Sequence, residues 1–168
     1  MTRAWAGFQA KRWEHLAQQA RLGTAAEKVA ENILEDLFTT VLDWRLSEVQ
    51  AGYPGLALTR LGAKQLIVEV RRPGALAWDE RAIDLALAQA QRTAGGQRVK
   101  AIAISDGIML YARDVLTGGH RDRLFTRLDE PWAPEDLWWL SVDGIYRPRE
   151  DPAGARLHLL PLATDMPS

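Results

Sequence analysis

The chain reads as one α/β domain with a central mixed sheet flanked by helices. Two dense β-branched runs, Gln65 to Arg71 and Val99 to Ser105, are apolar on both faces, as strands covered on both sides must be. Three other segments carry apolar residues at helical spacing. The order is helix, helix, strands, helix, strand hairpin, then mixed elements, which suits an α/β arrangement and no all-helical or all-strand one.

The elements follow in order. Thr2 to Arg21 places Trp5, Phe8, Leu16 and Ala20 on one helical stripe, with Trp13 beside it. Gly23 ends that helix, and Thr24 with Glu27 reads as a capping box for the next. The second helix runs from Ala25 to Leu42 and buries Ala30, Leu34, Leu37, Phe38, Val41 and Leu42. Arg45 to Gln50 is short and partly alternating, and Ala51 to Gly55 is turn chemistry. Leu56 to Thr59 is a short strand, Leu61 to Lys64 a turn, and Gln65 to Arg71 a buried strand closed by Pro73-Gly74. Asp79 to Ala94 is the third helix, with Asp79 as its cap and Gly95-Gly96 as its stop. Val99 to Ser105 and Ile108 to Arg113 flank Asp106-Gly107, a hairpin signal. Beyond it, His120 to Leu128 is a strand, Pro131 to Leu140 a short helix, and Val142 to Arg147 and Arg156 to Leu162 two short strands. Asp165 to Ser168 is a loose tail.

Composition narrows the function. The 168 residues carry 21 Lys plus Arg against 22 Asp plus Glu, a net charge of −1, with no cysteine and three separated histidines. Disulfide frameworks, thiolate zinc sites and cysteine nucleophiles are excluded. The near-zero charge argues against nucleic-acid binding by bulk charge and leaves a local basic face open. The expectation is a single cytoplasmic domain, residues 1–168, with no leader and no membrane contact.

Two acids stand out. Glu69 lies within the buried-type strand, where an unpaired carboxylate is expensive. Alternation puts Gln65, Ile67, Glu69 and Arg71 on one face and Leu66, Val68 and Val70 on the other. An edge strand with Glu69 paired to Arg71 and Arg72 is the plain alternative. On the second helix, Glu27 and Glu31 fall on the core-facing stripe. Capping explains Glu27, and a place at the rim of the stripe explains Glu31. On the third helix Gln89 precedes Thr93 by one turn, and surface exposure accounts for it equally well.

In order, these pieces resemble the PD-(D/E)XK nuclease superfamily, and more closely the N-terminal nuclease domain of type I restriction enzymes and its stand-alone relatives. The matching stretches are the helix from Glu27 to Trp44, YPGLAL from Tyr53 to Leu58 and LIVEVRRPG from Leu66 to Gly74. They continue with the helix from Ala82 to Ala94 and AIAISDGIMLYARD from Ala101 to Asp114. The likeness spans residues 24–114, preceded by an N-terminal helix (1–23) and followed by an extension (115–168). It implies a restriction-endonuclease-like three-layer fold, Mg²⁺ or Mn²⁺ as cofactor, and DNA as partner. Glu69 takes the position of the ExK glutamate. Glu31, or Glu27, takes that of the helix glutamate, so Glu69, Glu31 and Glu27 are the candidate metal ligands. Gln89 takes the glutamine position. Two positions depart: Gly55 stands where the family has an aspartate, and Arg71 where it has a lysine. Arginine keeps its proton and cannot serve as a general base. Asp43 and Glu48 lie upstream, but their spacing does not select either as a replacement ligand.

Three functions are then open. One is a nucleic-acid-binding protein with a degenerate site, catalytic candidates Glu69, Arg71, Glu31 and Gln89 notwithstanding. Its phosphate contacts would be Arg60, Lys64 and Arg72 in one cluster and Arg121 and Arg123 in another. The second is an active metal-dependent endonuclease with a rearranged site. The third is a protein-interaction or homodimer module anchored by Trp132, Trp138 and Trp139, with core packing the favoured account of the Trp138–Trp139 pair.

Overall fold

The structure, a computed structural model, describes residues 2–22, 25–52, 55–76, 80–94, 99–116 and 119–147. Thr24, Pro54, Asp79, Gly95-Gly96 and the expected strand and tail beyond residue 147 lie outside them.

Among the described residues there are three α-helices, α1 (Thr2–Leu22), α2 (Ala26–Asp36) and α3 (Glu80–Ala94). Six strands, β1 (Val49–Gly52), β2 (Gly55–Arg60), β3 (Ala63–Val70), β4 (Ala101–Ser105), β5 (Met109–Leu116) and β6 (Gly119–Arg127), form one sheet in sequence order. Every neighbouring pair is antiparallel except β3 and β4. Parallel neighbours need a crossover, and α3 supplies it. The sheet is therefore mixed, as expected.

Strand alternation sorts the core into two. Leu66, Val68 and Val70 of β3 pack with Trp5 and Phe8 of α1 and Val29, Ala30, Ile33 and Leu34 of α2. Ile67 faces the other way, against Ile83, Ala86, Leu87 and Ala90 of α3. The N-terminal helices thus cover one face and α3 the other. Trp13 departs from the expected stripe and is exposed, as is Ala20.

The expected helix from Ala25 to Leu42 is not uniform. Its N-cap residue is Ala25, which offers no side-chain cap, and Glu27 is exposed. After Asp36 the chain widens into a π turn, Leu37–Val41, in which the Leu42 amide donates to the Leu37 carbonyl at 3.1 Å. The Thr39 hydroxyl donates to the Glu35 carbonyl at 2.8 Å, a bond that competes with the regular ladder. The wider turn lets Leu37, Phe38, Val41 and Leu42 all enter the core.

Several further expectations change, and Ala51-Gly52, expected as part of a turn, completes strand β1. The stretch Val142 to Arg147 is not a strand: it holds a 3₁₀ turn, Gly144–Tyr146, and the Val142 amide donates to Leu42 at 3.0 Å. The short helix after Pro131 is a 3₁₀ turn, Glu135–Leu140, that buries Leu137 and Leu140. Trp138 stays 38% exposed, stacked edge-on against Trp139, and Trp132 is exposed, so neither is a core residue. The hairpin after β4 is present but shifted by one residue, with Gly107 and Ile108 at its tip and the Asp106 amide donating to Met109 at 3.4 Å.

The β2–β3 turn contains only Leu61 and Gly62, with φ of 52° and 80°. Such a two-residue turn requires both residues in the left-handed region, which asparagine tolerates and leucine does not. Leu61 is also fully exposed. Leu61→Asn is expected to stabilise the protein by about 0.5–1 kcal/mol. A chemical denaturation midpoint equal to or below that of the native chain counts against this turn geometry.

Candidate functional site

The C-terminal ends of the parallel pair β3 and β4 bring together the most unusual polar groups. Open sheets commonly place ligand sites at such ends. On β3, Glu69 pairs with Gly55 of β2 on one side and Ile104 of β4 on the other. It is therefore on a central strand, which corrects the edge-strand alternative. Its side chain is 0% exposed and points, by alternation from Ile67, to the α3 face.

Arg71 compensates that buried charge. Its Nη1 donates to Glu69 Oε1 at 2.8 Å and to the Val70 carbonyl at 3.4 Å. The Arg71 side chain is about one-third exposed, and its Nε and Nη2 have no partner among the described residues. Glu69 Oε2 is buried without a hydrogen-bond partner. Arg72 is exposed and forms no ion pair among the described residues.

Gly55 is glycine for a steric reason. A Cβ at this position would sit 1.9 Å from the Val68 carbonyl oxygen of the neighbouring strand. No side chain, carboxylate or otherwise, fits there without displacing the β2–β3 ladder.

The helix acids do not join Glu69. α2 packs on the face of Leu66, Val68 and Val70, opposite the α3 face. Glu31 is instead half-buried and bonded to Lys28 Nζ at 2.9 Å, and Glu27 is exposed. Among the described residues no three His, Asp or Glu side chains are placed to share a metal ion. Gln89 is half-buried on α3, on the same side of the sheet as Glu69, and is hydrogen-bonded or otherwise in contact within the protein.

The expected basic clusters also divide. Arg60 and Lys64 flank the β2–β3 turn, while Arg71 and Arg72 follow the far end of β3, about 20 Å away at 3.3 Å per residue. Arg60 pairs with Glu48 at 3.3 Å, so Glu48 is engaged at that end and not beside Glu69. Arg123 is corrected outright. It is buried, it bonds the Asp114 carboxylate, and it donates to the carbonyls of Trp139 at 2.9 Å, Gly144 at 3.4 Å and Arg147 at 3.1 Å. It joins the C-terminal 3₁₀ turns to the sheet and cannot reach a phosphate. Of Arg121 only the backbone on β6 is described.

One functional group escaped the sequence argument. Asp106 is fully buried, and its carboxylate accepts four backbone amides. Oδ2 takes Gly74 and Leu76, both at 3.1 Å, and Oδ1 takes Ile108 at 2.9 Å and Met109 at 2.8 Å. It ties the segment that follows β3, and so Arg71 and Arg72, to the β4–β5 hairpin. The Arg12 Nε of α1 donates to the Gly107 carbonyl at 3.1 Å in the same hairpin. Burial holds that guanidinium below its ordinary range, opposed by Asp129 and Asp106. Only the Asp-Gly hairpin pattern hinted at Asp106, and it gave no sign of the contacts to residues 74 and 76.

Among the described residues no helix is long and apolar enough to cross a membrane. No protein-family model, curated protein or solved structure compared with the chain matches it.

Proposed function

We propose that the protein is a nucleic-acid-binding member of the restriction-endonuclease-like class whose cleavage site has degenerated. The observation that carries this reading is the pairing of buried Glu69 with Arg71 beside a Gly55 that cannot hold a side chain. The succession of helix, three antiparallel strands, helix and a fourth strand parallel to the third supports the family likeness.

The residues present do not suit Mg²⁺ or Mn²⁺. A hard divalent cation needs several oxygen ligands. Among the described residues at these strand ends there is one free buried carboxylate oxygen, Glu69 Oε2, and the positive charge of Arg71 lies at the same carboxylate. The charge that a metal would neutralise is already neutralised by a fixed guanidinium. Arg71 cannot exchange a proton with an attacking water at ordinary pH, so it does not serve as the general base the family lysine position would hold. Binding survives this loss. The uncommitted N–H groups of Arg71 and the exposed Arg72 offer phosphate contacts at the strand ends.

The test uses duplex DNA with Mg²⁺ or Mn²⁺. The native protein is expected to bind at low salt without nicking, and Arg72→Glu to weaken binding and flatten its salt dependence by about one phosphate contact. Metal-dependent nicking that disappears in Glu69→Gln would establish the active endonuclease instead. Undetectable duplex binding at low salt removes the proposal altogether.

A further inference from the structure

The end of the sheet opposite Glu69 carries a second group of polar and aromatic side chains wholly or partly exposed to solvent. Tyr146, in the last 3₁₀ turn, is 45% exposed. Its ring is bordered by two cations, the Arg60 guanidinium at 6.0 Å and the Lys100 ammonium at 5.9 Å. Lys100 stands just before β4, where its amide donates to the Gln65 carbonyl at 2.7 Å, so it lies beside the start of β3. Lys64 lies there as well, in register with Thr59. Among the described residues, Lys64 and Lys100 form no ion pair, and Glu48 answers Arg60 alone. Leu61 projects from the adjacent turn, fully solvated and in a conformation that leucine adopts only under strain.

Neither feature does much for the fold. An exposed leucine at positive φ lowers stability, and the Tyr146 ring, bordered by the Glu48-paired Arg60 guanidinium and the Lys100 ammonium, leaves much of its face to water. Both suit a ligand that alternates planar apolar faces with negative charge. A single nucleic-acid strand with unstacked bases has that alternation, because each base offers a π-face and each link a phosphate. At ordinary pH the Tyr146 phenol is neutral, and partial burial shifts it further upward.

We infer that the turn end of the sheet is a single-strand nucleic-acid site, in which Tyr146 and Leu61 take bases and Lys100, Lys64 and Arg60 take phosphates. It shares only the ligand class with the proposed function and uses residues about 20 Å away along β3.

The experiment measures binding of the full chain to labelled oligothymidylate across a salt series, with Tyr146→Ala, Lys100→Glu and Leu61→Asn beside the native protein. Tyr146→Ala is expected to weaken binding roughly tenfold. Lys100→Glu is expected to lower the salt slope by about 0.7. Leu61→Asn is expected to weaken binding about threefold while raising the unfolding midpoint, so misfolding cannot account for that loss. Native-like binding by all three variants overturns the inference. So does binding to phosphatidylserine vesicles, but not to oligothymidylate, that these variants abolish, since the surface then serves lipid. Arg72→Glu is run in parallel with duplex DNA. If only Arg72→Glu loses affinity, the proposed function stands and this site falls. If only the turn-end variants lose affinity, the reverse holds.

Discussion

Asp106→Ala is expected to lower the unfolding free energy by about 4 kcal/mol, a large part of what a domain of this size has to lose. The carboxylate accepts the amides of Gly74, Leu76, Ile108 and Met109, and alanine leaves all four without partners. The abandoned N–H groups of Leu76 and Met109 are buried and cost about 1–3 kcal/mol apiece before relaxation, while those of Gly74 and Ile108 are partly buried and cost less. Asparagine is no conservative replacement here. It keeps one acceptor oxygen and turns an N–H₂ group toward amides that are themselves donors. Asp106→Asn is therefore expected to fall between the native chain and alanine, nearer alanine. Urea unfolding with an unchanged slope measures both. A loss under about 1 kcal/mol for alanine means that the segment after β3 is held by something else.

Arg71→Met is expected to destabilise by about 3–5 kcal/mol, because it leaves Glu69 charged in a site with no access to water. The converse change is mild. Glu69→Leu leaves Arg71, which is about one-third exposed and free to turn its guanidinium into solvent. Combining Glu69→Leu with Arg71→Met then recovers most of the loss, since no charge remains to be compensated. The double-mutant cycle reads this coupling directly. Equal losses in the two single variants, or a double variant no better than Arg71→Met, would show that Arg71 is not what makes buried Glu69 tolerable.

How far these two sites could be foreseen differs, and the difference is instructive. Glu69 was conspicuous because β3 is so apolar that one carboxylate within it demands a partner, and Arg71 two residues on is the nearest cation on that face. Asp106 was visible only as part of a turn. Its ties to Gly74 and Leu76 join positions 30 and 32 residues apart, and no local pattern carries such a pairing. Arg123 misled for the same reason. Among Arg121, Asp122 and Arg127 it reads as surface, yet a buried Asp114 and three carbonyls of the final turns draw it inward.

Glu31 shows the limit most clearly. Helical spacing correctly set α2's apolar stripe toward the sheet, and strand alternation correctly set Glu69 against Leu66, Val68 and Val70. Neither period states which sheet face a helix covers. That was decided when α3 carried the chain across to make β4 parallel to β3, taking the Glu69 face for itself and leaving the other to α1 and α2. Likewise the cations at positions 60, 64, 71 and 72 are close in sequence, but an extended strand of eight residues separates them to opposite ends of the sheet. The sequence by itself determined the three helices, the strands β2 to β6 and their order, the two-sided burial of β3 and β4, and the presence of one acid that must be paired. Tertiary structure alone decided which charges meet, because periodicity is a property of single elements and charge pairing is a property of how they are stacked.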